Sequence, residues 1–360
     1  MSHRRFSIIA WFTLVSLASP PLARAETLRI TGPTMGTTYQ VKIVDTKPAD
    51  ESSLRAEIER VLTDVERRLS TYRQDSEISR FNRAPAHEWF AVSPATAEIV
   101  AAAQEFNRES EGALDVTVGP LVRLWHFGPD TIAKANSPAD IAPPQEAALQ
   151  AARAVVGHQY LEVRDDPPAL RKQVAGLEVD LSAVGEGYAI DHLAAAVERL
   201  GHENFLVELG GEVRASGHGP SGKPWRIAVE RPDESHANTA EIVELSNAAV
   251  ATSGDYHRYF EYHGQRYSHI IDPATGRPIQ HKLAAVTVAA DSALVADAWD
   301  TALLVLGPER GYECAAKHNL AALFITRSGD QFAIRETPAW QERFVTAARR
   351  APADPQTRSP

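Results

Sequence analysis

The sequence is poor in cysteine, in positive charge and in long apolar runs, and each shortage excludes a class of protein. Cys314 is the only cysteine among 360 residues, so no disulfide can form within the chain. Lysine and arginine number 37 against 47 acidic residues, and the net charge of −10 argues against nucleic acid or an anionic membrane as a partner. After the N-terminal segment, no apolar run approaches the roughly 20 residues that a membrane-spanning helix requires.

The N-terminal segment has the pattern of a cleaved signal peptide. Arg4 and Arg5 give a basic start, residues 6–17 are apolar, and residues 23–25 read Ala-Arg-Ala, the small-residue pattern of a cleavage site. We expect cleavage after residue 25, rather than an uncleaved anchor, and a periplasmic protein exported by the Sec or the Tat route. No cysteine lies near the site to carry a lipid, and cleavage removes three positive residues, which changes the charge from −10 to −13.

The mature chain is predicted to form one globular unit over residues 26–346, followed by a disordered tail at 347–360. Its length of about 335 residues exceeds the usual size of a single core, so we expect two lobes. Proline-containing loops at 131–145 and 165–168 lie inside a continuous pattern and do not separate independent domains. The tail is polar and rich in proline, as disordered termini often are.

Strand patterns occur in runs joined by hairpin turns, and helical patterns fall between the runs. This arrangement favours an α+β fold with mainly antiparallel sheets over a parallel, doubly wound fold. Alternating residues predict strands at 27–30, 38–44, 160–163, 177–181, 205–209, 212–216, 225–230, 240–245, 250–252, 265–271, 283–289, 321–326 and 332–334. Apolar residues at helical spacing predict helices at 52–69, 93–110, 144–154, 188–200 and 291–306.

The predicted helix 291–306 contains the most informative residues of the chain. Residues four apart share a helix face, so Asp297 and Thr301 direct a carboxylate and a hydroxyl to one point, with Asp300 close by. Hard oxygen ligands of this kind suit Mg²⁺, which shares its remaining positions with water and phosphate. A solvated helix face is the alternative, but the neighbouring alanines and Trp299 make the helix largely apolar, and a buried carboxylate requires a partner.

Residues 180–188 are predicted to end a strand and to begin a helix, as a phosphate-binding turn does. Gly185 and Gly187 would let the backbone approach a ligand, and the N–H groups at the helix start would form an anion site. A turn that uses glycine only for its geometry explains the pattern equally well. Together with the metal site predicted at Asp297, an anion site here indicates chemistry on a phosphoric anhydride.

Three further positions have both a functional and a structural interpretation. His269 precedes a tight turn at 272–276 and could be a base, a group that stacks on a ligand, or a histidine of the core or surface. Asp115 lies in a loop of small residues before the aromatic run 125–127, and the two could hold a flat ring or form a packed loop. Tyr72 could stack on a ligand or pack against the protein.

Eight short motifs follow one another along the chain. They are MGTTY at 35–39, SEIS at 76–79, DVTVGPL at 115–121, DLS at 180–182, GEGYAID at 185–191, ELGG at 208–211, HIIDP at 269–273 and ADAWDT at 296–301. In this order, over about residues 31–346, they resemble the FAD:protein FMN transferases, the ApbE family. Because so many motifs occur in the same order, the resemblance is specific.

The resemblance implies an ApbE-like fold, related to the T-fold, and a magnesium-dependent transferase. Such an enzyme splits FAD, attaches FMN through its phosphate to a threonine or serine of a client flavoprotein, and releases AMP. The family's clients are periplasm-facing subunits of respiratory electron-transfer complexes and, in one branch, a flavin-bearing regulator of nitrous-oxide respiration.

Carried over by position, the resemblance also implies two sets of site residues. Those that would contact FAD are Met35, Tyr72, Ala113, Leu114, Asp115, Asp180, Glu186 and His269. Those that would hold the metal are the backbone oxygen of Ala183 and the side chains of Asp297 and Thr301. The candidates for the base that accepts the client's proton are His269, which we favour, and Asp300.

Two features differ from many relatives in the family. Glu186 occupies a position where many have lysine, and because a carboxylate cannot neutralise phosphate, we expect it to meet ribose, base or water. The cysteine of a lipobox is also absent. Two other activities fit the sequence: an FAD pyrophosphatase that passes FMN to water, and a non-catalytic periplasmic FAD carrier or maturation factor.

Overall fold

An antiparallel sheet of eight strands lies at the centre of this computed structural model. The structure describes residues 27–44, 50–128, 141–233, 238–329 and 331–345. The predicted signal peptide, most of the predicted loop 131–145 and the predicted tail lie outside these residues. Within them, no helix is long and apolar enough to cross a membrane.

Strands outnumber helices among the described residues. The strands are β1 (Thr27–Thr34), β2 (Thr37–Val44), β3 (Phe90–Ala91), β4 (Leu161–Asp165), β5 (Pro168–Lys172), β6 (Phe205–Leu209), β7 (Glu212–Ser216), β8 (Trp225–Glu230), β9 (Thr239–Leu245), β10 (Ala248–Gly254), β11 (Tyr259–Tyr262), β12 (Gln265–Ser268), β13 (Ile271–Asp272), β14 (Arg277–Pro278), β15 (Leu283–Ala290), β16 (Ala321–Ser328) and β17 (Gln331–Glu336). The helices are α1 (Glu51–Leu69), α2 (Glu77–Arg83), α3 (Pro94–Glu109), α4 (Gly119–Leu124), α5 (Glu146–Arg153), α6 (Ser182–Arg199), α7 (Ala293–Leu306), α8 (Pro308–Lys317) and α9 (Pro338–Trp340), with a 3-10 turn at His158–Tyr160 and a π turn at Gln341–Val345.

The large sheet has the strand order β1-β2-β6-β7-β10-β15-β16-β17, and every neighbouring pair is antiparallel. Apolar residues of α1, α6 and α7 form the main core with one face of this sheet. The hairpin β8–β9 packs over part of the opposite face around Trp225 and Val243. The small sheet β3-β5-β4 joins the main core through Leu161 and Leu170. The predicted α+β class with mainly antiparallel sheets is therefore confirmed.

The first hairpin turns more tightly than the sequence predicted. Only Met35 and Gly36 leave the β1–β2 ladder, and both have a positive φ, 49° and 79°. Positive φ at both central residues is typical of a type I′ turn, whose twist matches that of the flanking strands. The predicted hairpin at 205–216 also occurs, with Gly210 and Gly211 between its strands.

The prediction of a strand at 177–181 is wrong. The segment forms only an isolated bridge at Glu178 among the described residues, and α6 begins at Ser182 instead of residue 188. Asn82 takes the place of a neighbouring strand: its side-chain Nδ2 donates to the Val179 carbonyl, and its Oδ1 accepts from the Val179 N–H, both at 2.8 Å. The segment is therefore extended and pairs with the Asn82 side chain and, through single contacts, with the backbone of residues 116–118, but it does not form a ladder.

The predicted strand 265–271 is divided into β12 and β13. His269 leaves the ladder because its backbone N–H donates to the carbonyl of Arg258 at 3.0 Å. This break places His269 between a hairpin and a tight turn, where its side chain is half-buried. Helices α2, α4, α8 and α9 were not predicted.

Candidate active site

The site is built where two helices, α6 and α7, approach very closely at Gly187. A Cβ added to Gly187 would lie 2.4 Å from the carbonyl oxygen of Ala293 and 2.8 Å from the Cβ of Asp297. Neither neighbour can move easily, because the first is backbone and the second begins a buried side chain. The absence of a side chain at residue 187 therefore lets Asp297 face the start of α6.

Asp297 meets the backbone of α6 directly. Its side chain is 3% exposed, and its Oδ2 accepts a hydrogen bond from the Gly187 N–H at 2.8 Å. In a regular helix this N–H would point at the carbonyl of Ala183, four residues earlier. Asp297 and the Ala183 carbonyl, two of the three predicted metal ligands, therefore face the same N–H group.

The third predicted ligand, Thr301, lies one turn after Asp297 on α7 and is tied to β10. Its hydroxyl is 2.9 Å from the Ser253 Oγ. The same Ser253 hydroxyl donates to Asp300 Oδ1 at 3.0 Å. Asp300 is fully buried, and its Oδ2 has no hydrogen-bond partner among the described residues. An unpartnered buried carboxylate oxygen beside two other oxygen ligands indicates a place for a cation or a proton.

Four carboxyl groups lie close enough in this region to affect one another. Burial raises the pKa of Asp297 to about 8; the Gly187 N–H opposes the rise and the charge of Glu186 adds to it. Burial also raises the pKa values of Asp300 and Glu212, and the charge of Asp297 raises both further. The region thus holds more negative charge than its surroundings stabilise, which favours a bound cation.

The predicted donor set fits magnesium better than a soft metal. No group of three or more His, Cys, Asp or Glu side chains in the described part of the chain is arranged to hold a metal ion. The set of Asp297, Thr301 and the Ala183 carbonyl uses one carboxylate and two neutral oxygens instead. Mg²⁺ typically takes one or two carboxylates and keeps water or phosphate at its other positions.

The helix start differs from the predicted phosphate-binding turn. Because α6 begins at Ser182, Gly185 and Gly187 lie inside the helix, and the Gly187 N–H is already used by Asp297. The Asp180 carboxylate accepts from the Ser182 N–H at 2.9 Å and from its hydroxyl at 2.6 Å. The prediction that Gly185 and Gly187 form a turn before the helix is therefore wrong, and an acidic side chain occupies part of the helix start; the N–H anion site stays a prediction.

Met35 reaches the same helix start from the tip of the first hairpin. Its Cε lies 3.6 Å from the position that a Cβ of Gly185 would take. Its backbone N–H donates to Glu66 Oε1 at 3.0 Å, which fixes the hairpin tip to α1. The structure therefore brings Met35 beside Gly185, near the start of α6.

The Asp115 loop lies beside Asp180 but uses its own carboxylate internally. Asp115 Oδ1 accepts from the Thr117 N–H at 2.8 Å, and Oδ2 accepts from the His158 N–H at 3.0 Å. The Asp180 N–H donates to the Val116 carbonyl at 2.7 Å, which holds the two segments together. Asp115 therefore shapes this loop, whatever else it contacts.

The remaining predicted FAD contacts differ in exposure. Ala113 and Leu114 are buried, with only 7% and 2% of their surface exposed. The Leu114 N–H donates to Ser110 Oγ, and the Leu114 carbonyl accepts from Asn107 Nδ2. Tyr72, just after α1, is 55% exposed, so most of its side chain is open to a flat ligand. The predicted roles of these residues stay predictions.

His269 is connected to the carboxylates through Arg258. Its Nδ1 lies 3.1 Å from the Arg258 carbonyl, and since a carbonyl only accepts, Nδ1 carries the hydrogen and Nε2 has the free lone pair. Burial lowers the pKa of His269 to about 4. Arg258 also lowers the pKa of Glu186, which burial raises to about 7, so its guanidinium acts on both groups.

Sequence reasoning missed the residues that come from distant strands. Ser253 on β10 joins Asp300 and Thr301, and Glu212 begins β7 after the glycine pair. At Gly210 an added Cβ would lie 2.1 Å from Glu186 Oε2, so this turn packs against the Glu186 carboxyl. In the sequence, the two glutamates that flank Gly210 and Gly211 could have indicated this part of the site. No pattern around Ser253 indicated that it would lie there.

Known proteins match this chain over most of its length. Its sequence fits the model of the ApbE family over residues 35–324. It is 44% identical to the FAD:protein FMN transferase of Vibrio cholerae serotype O1, over 89% of this chain and 95% of that protein. The flavin transferase ApbE structure from Vibrio cholerae has a TM-score of 0.80 at 42% identity and covers 89% of this chain and 100% of its own. The apo flavinyl transferase ApbE of Pseudomonas stutzeri also gives 0.80, at 41% identity, covering 90% and 98%.

These matches confirm the predicted family, the predicted fold and the predicted enzyme class, a transferase. The motif that lies at the centre of the site, residues 296–301, falls within the matched region. The chain belongs to the ApbE family.

Proposed function

We propose that this chain is a magnesium-dependent FAD:protein FMN transferase. The acceptor hydroxyl of a client threonine or serine attacks the phosphorus on the flavin side of FAD. The bond from that phosphorus to the bridging oxygen breaks, AMP leaves with the oxygen, and the hydroxyl proton goes to a base. The observation that carries the proposal is the pairing on α7 of the buried Asp297, which accepts from the Gly187 N–H of α6, with the half-buried Thr301 one turn later, whose hydroxyl lies beside Ser253.

The residues that would hold the metal are Asp297, Thr301 and the Ala183 carbonyl. Bound Mg²⁺ would offset the charge that develops on the pyrophosphate oxygens as the bond to AMP breaks. The raised pKa of Asp297, about 8, and the unpartnered Oδ2 of Asp300 support a cation here, because both carboxylates lack an opposite charge.

The residues that would bind FAD surround the start of α6. The exposed ring of Tyr72 offers a surface for the flavin, and Met35 contacts the helix beside Gly185. The buried loop of Ala113, Leu114 and Asp115 would line the pocket, with Asp180 beside it. Glu186 would meet ribose, base or water rather than phosphate, since its carboxyl lies against the Gly210 turn.

The proton of the client hydroxyl needs an acceptor, and His269 is the better of two candidates. It is half-buried, and the hydrogen bond from its Nδ1 to Arg258 leaves Nε2 as the acceptor. Its pKa of about 4 keeps it neutral at working pH and makes it a weaker base than an unperturbed histidine. Asp300 is fully buried and hydrogen-bonded to Ser253, so a client hydroxyl would reach it less easily.

We further propose that the mature protein acts in the periplasm after removal of residues 1–25. Its clients would be subunits of respiratory electron-transfer complexes, or a regulator of nitrous-oxide respiration, that carry an acceptor threonine or serine. The signal-peptide pattern of the sequence supports this location.

The test is mass spectrometry of the mature protein mixed with FAD, Mg²⁺ and a peptide that carries an acceptor threonine. A gain of the FMN phosphodiester mass on the peptide, abolished by EDTA, is the expected result. Free FMN and AMP with an unmodified peptide would instead indicate an FAD pyrophosphatase. FAD that stays intact in Mg²⁺ would indicate a carrier or maturation factor.

A further inference from the structure

The Asp191 carboxylate of α6 accepts hydrogen bonds from the start of the neighbouring helix, α7. Its Oδ1 accepts from the Ala293 N–H, and its Oδ2 accepts from the Leu294 N–H, both at 3.0 Å. The Ser292 hydroxyl also donates to Oδ2, at 2.7 Å. A helix usually receives such a cap from the residue just before it, whereas this cap comes from another helix, 101 residues before Ser292. Asp191 therefore caps α7 and holds it against α6.

All four N–H groups of the first turn of α7 have an acceptor, although no residue of the helix itself can supply one. Asp191 accepts from the first two. The Ser292 Oγ accepts from the Val295 N–H at 3.3 Å, and the Ser292 carbonyl accepts from the Ala296 N–H at 3.2 Å. The negative charge of Asp191 also stabilises the positive end of the helix dipole. The start of α7 is thus fully hydrogen-bonded, and half of its acceptors belong to one carboxylate of α6.

An arginine of the central sheet also binds the Asp191 carboxylate. Arg214 of β7 forms an ion pair with Asp191, and both side chains are half-buried. Arg214 lies on the same strand face as Glu212, because alternate residues of a strand point to one side. Val213 and Ala215 lie on the other face, in the core beneath the hairpin β8–β9. Asp191 thus joins α6 and α7 to the strand that carries Glu212.

On both helices, this contact lies about one turn away from the candidate metal site. Asp191 follows Gly187 by four residues on α6, and Leu294 precedes Asp297 by three on α7, so each pair shares a helix face. The Gly187 N–H donates to Asp297 at 2.8 Å. Each helix therefore presents one carboxylate to backbone N–H groups of the other, Asp191 to α7 and Asp297 to α6. Two such contacts, one turn apart, fix both the separation and the rotation of α7 against α6.

We propose that Asp191 is a positioning residue of the metal site, whose contact with α7 keeps the Asp297 carboxylate opposite the Ala183 carbonyl. The inference rests on the proposed function, because that function assigns Mg²⁺ to these two groups and to Thr301. Asp191 acts through the backbone of α7 and is not itself a ligand. Replacement of a residue that orients metal ligands in this way typically weakens metal binding by roughly 10–100-fold.

The test replaces Asp191 by asparagine, which keeps the size of the side chain but turns one acceptor oxygen into a donor NH₂ group. The matched control, Asp291→Asn, removes the same charge beside the same helix start, at a side chain that is 93% exposed and ion-paired with Arg343. A milder variant, Arg214→Gln, removes the ion pair but leaves the three hydrogen bonds from α7 to Asp191. Calorimetry measures the Mg²⁺ affinity of each mature protein, and NMR measures hydrogen exchange of the Gly187 amide without metal.

We expect Asp191→Asn to bind Mg²⁺ at least roughly tenfold more weakly and to exchange the Gly187 amide at least roughly tenfold faster. Arg214→Gln should change both quantities in the same direction by a smaller factor, and Asp291→Asn should resemble the wild type. If Asp191→Asn does not fold, Arg214→Gln decides the test.

Two results would overturn the proposal. A lower melting temperature with unchanged Mg²⁺ affinity and unchanged exchange at Gly187 would show that Asp191 only caps α7. Equal weakening in Asp291→Asn would show that loss of a charge, rather than of the contact with α7, is the cause. FMN transfer is scored separately by mass, so that the expected Mg²⁺ and exchange results in a protein that transfers no FMN would count against the transferase function alone.

Discussion

Replacement of Gly187 by alanine should separate helices α6 and α7 and disturb Asp297. The new Cβ would lie 2.4 Å from the Ala293 carbonyl oxygen and 2.8 Å from the Asp297 Cβ. Overpacking of a buried contact costs about 1–3 kcal/mol, and a buried hydrogen bond that is lost, here from Gly187 to Asp297, costs about 1–3 kcal/mol. Alanine regains about 1 kcal/mol of helix propensity over glycine. The expected net loss is thus roughly 1–5 kcal/mol of folding free energy.

Gly185 provides a matched control on the same helix. A Cβ at Gly185 would meet only the Met35 Cε, at 3.6 Å, which is an ordinary contact. Gly185→Ala should therefore leave the protein as stable as the wild type, or stabilise it by up to about 1 kcal/mol. Both variants make the same glycine-to-alanine change in α6, at positions two residues apart.

Thermal unfolding followed by circular dichroism tests the pair. We expect the melting temperature of Gly187→Ala to fall by at least roughly 2 °C and that of Gly185→Ala to stay the same or rise. We also expect Gly187→Ala to weaken Mg²⁺ binding, measured by calorimetry, because it moves Asp297 away from the Ala183 carbonyl. A Gly187→Ala protein with unchanged melting and unchanged Mg²⁺ affinity would refute the close helix contact as the basis of the site.

Three other predictions concern the chemistry. Asp297→Asn keeps a hydrogen-bond acceptor for Gly187 but removes the charge, so FMN transfer at ordinary Mg²⁺ should fall roughly 100-fold or more, and full transfer would contradict the metal assignment. His269→Ala should slow transfer roughly 100-fold or more without loss of FAD affinity, and an unchanged rate would point to Asp300. Because burial raises the pKa of Asp297 from its usual value to about 8, the metal-free protein should lose stability as the pH rises from about 4 to about 8. Melting temperatures across this range, which saturating Mg²⁺ should make nearly constant, check the sign.

The elements that the sequence predicted well are those whose pattern is local. Helix α1 shows apolar residues at helical spacing, and all of its buried positions follow that spacing. The hairpin at Gly210 and Gly211 could be placed because two strand patterns flank a glycine pair. Each of these elements depends on residues that are neighbours in the chain.

The segment 177–181 shows why other elements could not be predicted. Its alternating residues are typical of a strand, and it is extended, but it pairs with the side chain of Asn82, 97 residues earlier, and makes only an isolated bridge to the backbone at Val118. Strand assignment requires a continuous ladder with a neighbouring backbone, and the sequence pattern alone does not reveal whether one forms. The error at Leu177 then moved the predicted helix start and placed Gly187 outside the helix.

The candidate site was predicted only in part, because some of its residues come from distant parts of the chain. The spacing of Asp297 and Thr301 is a property of one helix and can be read directly. Ser253 and Glu212 come from strands β10 and β7, and only the sheet brings them to that helix. A sequence pattern can thus predict the ligands on a helix, but not the groups on the sheet that orient them.

The charge of the site explains how an acidic protein could bind a dinucleotide with two phosphates. Asp297 and Asp300 are buried beside the half-buried Glu212, and all three carboxyl groups have raised pKa values. The charge of Glu186 raises the pKa values of Asp297 and Glu212 further. Arg258 is the cation whose charge lowers the pKa of Glu186. Under the proposed function, these carboxylates would repel FAD or take up protons in the absence of a metal, so tight binding of FAD would require a cation. FAD and Mg²⁺ should therefore bind cooperatively, and each should raise the measured affinity for the other by the same factor.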